Sequence, residues 1–268
     1  MTSMVTNGLI TSGTVHLADG AADGLVASRI CMQFGGFKAV DDVSLNIGSR
    51  EVKAVIGPNG AGKSTLFSCL AGTLSPTSGR IYVGGVDLTN WEVARRARHG
   101  VVKSFQTTSI FQRMTVRDNV IAAAVGISSF SLLDMVRQPG SRRDIMMRVD
   151  EVLEEVRLVE RQHDVAATLS HGQQRRLDMG LALACGATIL LLDEPTAGMG
   201  VDDVADFKSL IKRLRKRCGI LLVEHNMDIV LSLSDRITVM AHGKIICEGS
   251  PDEVRSDPVV RDVYLGRR

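Results

Sequence analysis

The sequence predicts an α/β fold on a buried parallel sheet, with an antiparallel strand-rich start and a helical insertion. Three observations predict it. Val52–Ile56 is a first short run that reads as a strand, and Ile189–Leu192 and Ile220–Val223 are compact apolar runs without alternation, the pattern of strands covered on both faces. Amphipathic helical stretches such as Val204–Arg217 recur between such runs, which gives strand–helix alternation. A glycine-rich turn from Gly57 to Ser64 joins the first run to a helical segment at Leu66–Leu70.

Taken in order, residues 1–24 are rich in Thr, Ser, Gly and Ala and show no sustained period, so a poorly ordered extension is expected there. Leu25–Met32 and Ala39–Ile47 read as strands separated by Gly-containing turns. Ile81–Val83, followed by Gly84-Gly85, suggests a further hairpin. Between Arg113 and Leu169 the pattern turns helical, with Asp118–Val125, Arg143–Val156 and Val159–Ala166 as helices and Gln138-Pro139-Gly140 as punctuation. A last buried strand is expected at Ile237–Met240. The domain expected from this reading spans residues 25–268, with a helical subdomain inserted at about 107–168.

Composition narrows the function classes. The 268 residues suit one large domain or a core with an inserted subdomain. Lys and Arg number 32 against 30 Asp and Glu, a net charge of +2 that is too balanced for a nucleic-acid stripe; aromatics at 4% are too scarce for base-stacking platforms. Mean hydropathy is +0.10, slightly high, so membrane spans were sought. The best stretch, Met179–Leu192, is broken by Gly186 and falls short of the ~20 apolar residues a helical span needs. Cys31, Cys69, Cys185, Cys218 and Cys247 are scattered and contain no CxxC pair, which fits neither a disulfide framework nor a zinc site. No Lys or Arg precedes Arg29, so no basic signal-peptide region is seen, and a cytosolic protein is expected.

Gly57-x-x-x-x-Gly62-Lys63-Ser64 carries the first chemistry. Its glycines let the backbone N–H groups of Gly57, Pro58-Asn59-Gly60-Ala61, Gly62 and Thr65 turn around phosphates, apart from the proline, which has none. Lys63 would reach the β- and γ-phosphates, and the Ser64 hydroxyl would ligate Mg²⁺. This is a P-loop, and with its strand-before and helix-after context it makes the expected fold a P-loop NTPase with a RecA-like parallel core. A second element is Ile189-Leu190-Leu191-Leu192-Asp193-Glu194-Pro195. A carboxylate at the carboxyl end of a parallel strand lies in the ligand crevice, so Asp193 suits the Mg²⁺ shell and Glu194 the polarisation of an attacking water.

Leu169-Ser170-His171-Gly172-Gln173 selects among P-loop families. At this point the chain resembles the ATP-binding cassette (ABC) ATPases, whose signature is Leu-Ser-Gly-Gly-Gln ahead of the apolar Asp-Glu strand. Gln106, in Ser104-Phe105-Gln106, matches that family's Q-loop glutamine, and His225, in Val223-Glu224-His225, its switch histidine. Phe34, in Gln33-Phe34-Gly35-Gly36, lies where the family keeps an aromatic that stacks on adenine. The resemblance covers residues 25–266.

The resemblance implies ATP and Mg²⁺ as ligands and two cassettes facing head to tail around two ATP molecules. In that arrangement Glu194 acts as general base, His225 stabilises charge on the γ-phosphate, and Gln106 senses Mg²⁺ and water. Ser170, Gly172 and Gln173 of the opposite subunit cap the γ-phosphate with their helix N-terminus. Two residues depart from the pattern. His171 replaces the first signature glycine, and Gly200, in Thr196-Ala197-Gly198-Met199-Gly200, stands where many cassettes place an aspartate. Asp202 and Asp203 are the nearby substitutes.

Those same residues, with Val223-Glu224-His225-Asn226-Met227-Asp228 and the ending Val263-Tyr264-Leu265-Gly266, resemble the branched-chain amino acid importer cassettes, and the urea and short-amide importers share most of them. The implied function is the ATPase motor for import of a small polar solute, peripheral on the cytoplasmic face of the inner membrane. The implied partners are a second cassette, identical or paralogous, integral membrane permeases docking along Phe105–Phe111, and an extracytoplasmic solute-binding protein. Alternatives kept open are an exporter cassette of the lipopolysaccharide type and a non-transport ABC ATPase acting on DNA or ribosomes. One P-loop, no long coiled coil and balanced charge weigh against the latter. No Asn-Lys-x-Asp guanine motif supports a GTPase.

Overall fold

The structure, a computed structural model, describes residues 24–104, 110–127 and 139–265. Apart from Gly24, the extension expected at residues 1–24 lies outside them, as do Phe105 and Gln106.

Two sheets form the frame. The first is antiparallel, in the order β2-β1-β4-β5, from β1 (Leu25–Phe34), β2 (Phe37–Ile47), β4 (Ser78–Val83) and β5 (Val86–Asp87). Alternating burial along β2 shows one face packed and one wet. The second sheet has the order β10-β9-β3-β8-β7-β6. Its members are β3 (Val52–Ile56), β6 (Val101–Ser104), β7 (Ile189–Asp193), β8 (Gly219–Val223), β9 (Arg236–Ala241) and β10 (Lys244–Gly249). All neighbours are parallel except β10, which closes the edge antiparallel to β9.

The three runs are β3, β8 and β7, side by side at the centre of the sheet, with Lys53 the one charged residue among them before Asp193, and their period-2 alternation divides two cores. Ile189, Leu191, Leu221, Val223 and Val55 pack toward the antiparallel sheet and helix α1 (Lys63–Ala71). Leu190, Leu192, Ile220, Leu222 and Val52 pack toward the helices on the other face. Those helices include α3 (Val116–Ile127), α4 (Pro139–Glu155), α5 (His171–Ala184) and α6 (Val201–Leu214). Burial on both faces is what allows, and demands, uninterrupted apolar strands.

Several local expectations are corrected. Pro139, expected as a breaker, is the first residue of α4, where its missing N–H has no intrahelical partner to lose. The helix expected at Val159–Ala166 is two 3₁₀ turns, Val159–Arg161 and Ala166–Thr168. Besides its short 3₁₀ bonds, the backbone there bonds to the entry of α3: Val116 N donates to Asp164 O, Arg117 N to Gln162 O and Ala166 N to Met114 O. Helix α6 starts at Val201 and ends at Leu214, three residues ahead of expectation at each end. The α2 helix (Val93–Arg98), strands β6 and β10, and the short helices α7 (Met227–Leu233), α8 (Pro251–Ser256) and α9 (Pro258–Leu265) lacked a recognised signal.

Helix α1, which carries the P-loop lysine at its start, is anchored at its other end by a buried guanidinium. Arg96 is 1% exposed and donates to the carbonyls of Cys69 (2.6 Å), Leu70 (2.7 Å), Thr89 (2.8 Å) and Trp91 (2.9 Å). A cation at a helix C-terminus also meets the negative end of the helix dipole. Substitution Arg96→Met keeps the bulk and strands these acceptors, so urea unfolding should show a loss of about 3 kcal/mol. An unchanged midpoint would remove Arg96 as the anchor.

Candidate nucleotide site

Register brings the site together. Val223, the last residue of β8, pairs with Val55 of β3 on one side and Asp193 of β7 on the other. The segments leaving these three strands therefore emerge side by side at one sheet edge. They are the P-loop after Ile56, the Asp193-Glu194-Pro195 turn and the Glu224-His225 turn. Ligands of open α/β folds collect at this carboxyl edge.

The P-loop is held close to its surroundings by glycines at two points. A Cβ at Gly57 would lie 2.1 Å from Met240 O, and one at Gly62, whose φ is +97°, would lie 2.3 Å from Ala39 O. Only glycine fits either place. The loop ends at the start of α1, so its amides and the helix N-terminus face the same cleft. Lys63 is buried and its Nζ donates to Gly57 O (2.7 Å) and Pro58 O (3.0 Å). Burial pushes its ammonium below the usual lysine range, and the charges of Glu194 and Asp193 partly oppose that.

Phe37, Ala39, residues 59–65, Glu194 and His225 line one cleft. Glu194 adopts φ +46°, an uncommon left-handed conformation for a non-glycine residue and one that carries strain. Its N–H donates to Val223 O (2.8 Å), which continues the strand ladder one step, and its Oε1 lies 2.9 Å from His225 Nε2. Asp193 is half-buried. Burial, with the neighbouring Glu194 charge, pushes its carboxyl above the usual carboxylate range, while Lys103, His225 and Lys63 pull it back.

The predicted residues fall into groups. Asn59, Gly60, Ala61, Gly62, Lys63, Ser64, Thr65, Glu194 and His225 share the cleft, with Asp193 at the adjoining strand end and Gly57 and Pro58 beneath the lysine. Phe34 does not line it. Its cross-strand partner Phe37 does, at the tip of the β1–β2 hairpin, and the two side chains are 48% and 65% exposed. Sequence reasoning missed Phe37 because a second aromatic in the same turn had no motif to distinguish it. Gln106 lies outside the described residues.

Ser170, Gly172 and Gln173 form no part of the cleft wall. They start α5 in a capping box: Ser170 Oγ accepts from Gln173 N (3.3 Å) and Gln173 Oε1 accepts from Ser170 N (2.9 Å). His171 stands exposed in the first turn. Gly172 packs on Asp203, whose Oδ1 would lie 2.3 Å from a Cβ at 172. The carboxylate considered as a replacement for the aspartate absent at Gly200 is thus turned onto the chain's own signature helix. Gly200 caps α6 without a side-chain bond.

The chemistry of the donors fits a divalent cation held jointly with phosphates. Ser64 offers a hydroxyl and Asp193 a partly desolvated carboxylate whose charge such an ion would offset. Among the described residues no cluster of three or more His, Cys, Asp or Glu could cage a metal alone. Mg²⁺ is usually bound by one or two carboxylates together with substrate phosphates.

A profile of the ABC transporter family matches residues 40–197. The chain belongs to that family. A second profile, of branched-chain amino acid ATP-binding cassette transporters, matches residues 244–268 of the cassette. The high-affinity branched-chain amino acid transport ATP-binding protein BraF of Pseudomonas aeruginosa is 38% identical over 248 residues, covering 90% of this chain and 97% of the relative. LivG of Escherichia coli is 36% identical over the same shares. The lipopolysaccharide export system ATP-binding protein LptB of Haemophilus influenzae is 34% identical, covering 91% and 98%. A solved ATP-binding cassette of an ABC transporter in its ADP conformation matches with a TM-score of 0.77 at 32% identity, covering 91% of this chain and 99% of that one. The cassette is accordingly a nucleotide-binding ATPase with the P-loop fold. Among its described residues no helix is long and apolar enough to cross a membrane.

The raised Asp193 carboxyl pKa has a sign. The folded chain binds that proton more readily than the unfolded chain, so above the folded pKa the ionised side chain costs stability, and the cost is relieved as pH falls toward the ordinary value of 3.8. Asp193→Asn should therefore raise the calorimetric Tm of the nucleotide-free cassette near pH 7.5 by on the order of 2–4 °C. The gain should shrink in acid, while Mg²⁺-dependent turnover falls at least about tenfold. A lowered Tm would contradict the desolvation reading. Gly62→Ala should abolish nucleotide binding, read by fluorescent ATP analogue titration, because the new methyl meets backbone rather than a side chain that can move.

Proposed function

We propose that this cassette is the ATP-hydrolysing motor of an importer for a small polar solute of the branched-chain amino acid class. The match of residues 244–268 to the branched-chain transporter profile supports this reading most directly, because it falls outside the ATP-binding segment that all cassettes share. Identities of 38% and 36% to the importer cassettes BraF and LivG, against 34% to the Haemophilus export relative, support import over export. The cassette would work at the cytoplasmic face of the membrane, held by separate permease subunits and paired with a second cassette. An extracytoplasmic solute-binding protein would deliver the cargo.

In this reading the P-loop amides and Lys63 hold the ATP phosphates, and Phe37, the hairpin-tip aromatic that lines the cleft, meets the adenine in place of Phe34. Ser64, Asp193 and Gln106 would hold Mg²⁺, which supplies charge neutralisation on the phosphates. Glu194 is the general base. An Nε2–H donated by His225 to Oε1 orients the carboxylate and leaves Oε2 to accept a proton from the attacking water. With ATP bound, the same imidazole would lie near the γ-phosphate and offset developing charge.

A single chain supplies half of this machinery. Ser170, Gly172 and Gln173 lie away from the cleft at the exposed start of α5, so they are positioned to cap the ATP of a facing cassette. ATP then joins the two cassettes, hydrolysis releases them, and the permeases follow that motion.

Glu194→Gln should bind ATP normally, lose turnover by at least about 100-fold and accumulate an ATP-bound dimer on size-exclusion chromatography. Turnover at the wild-type rate would remove Glu194 as the base. Ser170→Arg should leave ATP binding by the monomer intact and abolish the ATP-dependent dimer; a dimer forming at wild-type ATP concentration would refute the trans cap. For the cargo, the motor reconstituted with its permeases in liposomes should drive ATP-dependent uptake of labelled leucine or valine. ATP-driven efflux in their place would overturn the importer reading.

A further inference from the structure

One buried acid next to the reaction centre has no part in the mechanism above. Glu224 follows the last residue of β8, between the P-loop strand and the Asp193 strand, and is 5% exposed. Among the described residues no Lys, Arg or His forms an ion pair with it. Its carboxylate is instead filled by neutral donors from two separate loops. Oε1 accepts from Thr196 N (3.0 Å) and from the Thr196 hydroxyl. Oε2 accepts from His225 N (3.0 Å) and, more weakly, from Asn226 N (3.4 Å).

The two loops carry the two reacting side chains. Thr196 lies two residues beyond Glu194, and His225 directly follows Glu224. Glu194 is held at φ +46°, and the carboxylate fixes the chain just past it, where Ala197 N also closes a turn onto Glu194 O (3.1 Å). One carboxylate thus clamps both sides of the 2.9 Å Glu194–His225 contact. A backbone conformation that costs energy persists only where its surroundings hold it, and a carboxylate with both oxygens engaged is a rigid clamp.

We propose that Glu224 is a positioning residue for hydrolysis: it sets the geometry of Glu194 against His225 without touching the nucleotide. The inference rests on the assignment of Glu194 as the base.

Glu224→Gln is nearly isosteric, but its amide NH₂ cannot accept, so one side of the clamp is lost. In the full-length cassette, kcat for ATP hydrolysis should fall about 10- to 100-fold, the scale of a small misplacement at a reacting centre. The Kd for a fluorescent ATP analogue should stay within about twofold. In a Glu194→Gln background the second substitution should cost little further turnover, because the group it positions is already gone. Turnover by Glu224→Gln within twofold of wild type overturns the proposal, and so does a parallel loss of kcat and nucleotide affinity, which marks a purely structural role. If that variant does not fold, Thr196→Val removes only the hydroxyl. It should lower kcat at least about threefold at unchanged Kd, with Thr196→Ser restoring it, and wild-type turnover of Thr196→Val overturns the proposal. Should Glu194→Gln itself keep turnover, the base assignment fails independently of either result.

Discussion

The pairing of Val223 with Val55 on one side and Asp193 on the other fixes where three chain segments leave the central sheet, and the remaining chemistry depends on that register. A slip of one residue in β7 or β8 would invert which apolar side chains meet which core and would carry Asp193, Glu194 and His225 away from Lys63. The register is enforced by burial. Leu190 and Leu192 pack toward the helical face, Ile189 and Leu191 toward the antiparallel sheet, and each is fully buried. The hydrophobic cost of misregister is thus paid in both cores at once. The functional edge of the sheet inherits its precision from side chains that never meet a ligand.

Charge at that edge is balanced with little to spare. Lys63 is kept below the usual lysine range by burial and leans on two carbonyls, while Asp193 is kept above the usual carboxylate range. Both charged forms are therefore costly in the nucleotide-free chain, and ligands that bring phosphate and cation relieve both. Glu194 adds backbone strain beside Pro195. Glu224, also buried, is satisfied entirely by donors from Thr196, His225 and Asn226. The site is prepared for polyphosphate chemistry at the expense of local stability, which the two apolar cores and the Arg96 anchor of α1 offset.

The distance between the halves of the machinery follows from topology. The signature residues begin α5, beyond the helical segment that separates β6 from β7, whereas the cleft is built from the ends of β3, β7 and β8. A chain folded this way presents its P-loop and its signature on different parts of its surface. In the proposed arrangement, facing copies or paralogues would satisfy both. Asp203, in the first turn of α6, lies against Gly172 of the signature helix within the same chain.

Much of this was legible in the sequence. The P-loop and Asp193-Glu194 are local motifs, the signature and His225 became legible through the resemblance to a family, and uninterrupted apolar runs identify β7 and β8 because only doubly covered strands need them. Short elements such as β6 and β10 escaped, since a few residues at a sheet edge leave too weak a period. The segment 159–166 misled because its helical composition was overridden by backbone bonds to residues 114–117. Tertiary structure alone decided that Phe37 lines the cleft, that Asp203 is spent on its own signature helix and that Glu224 bridges Thr196 to His225. Those contacts join residues distant in the chain, so no local pattern records them.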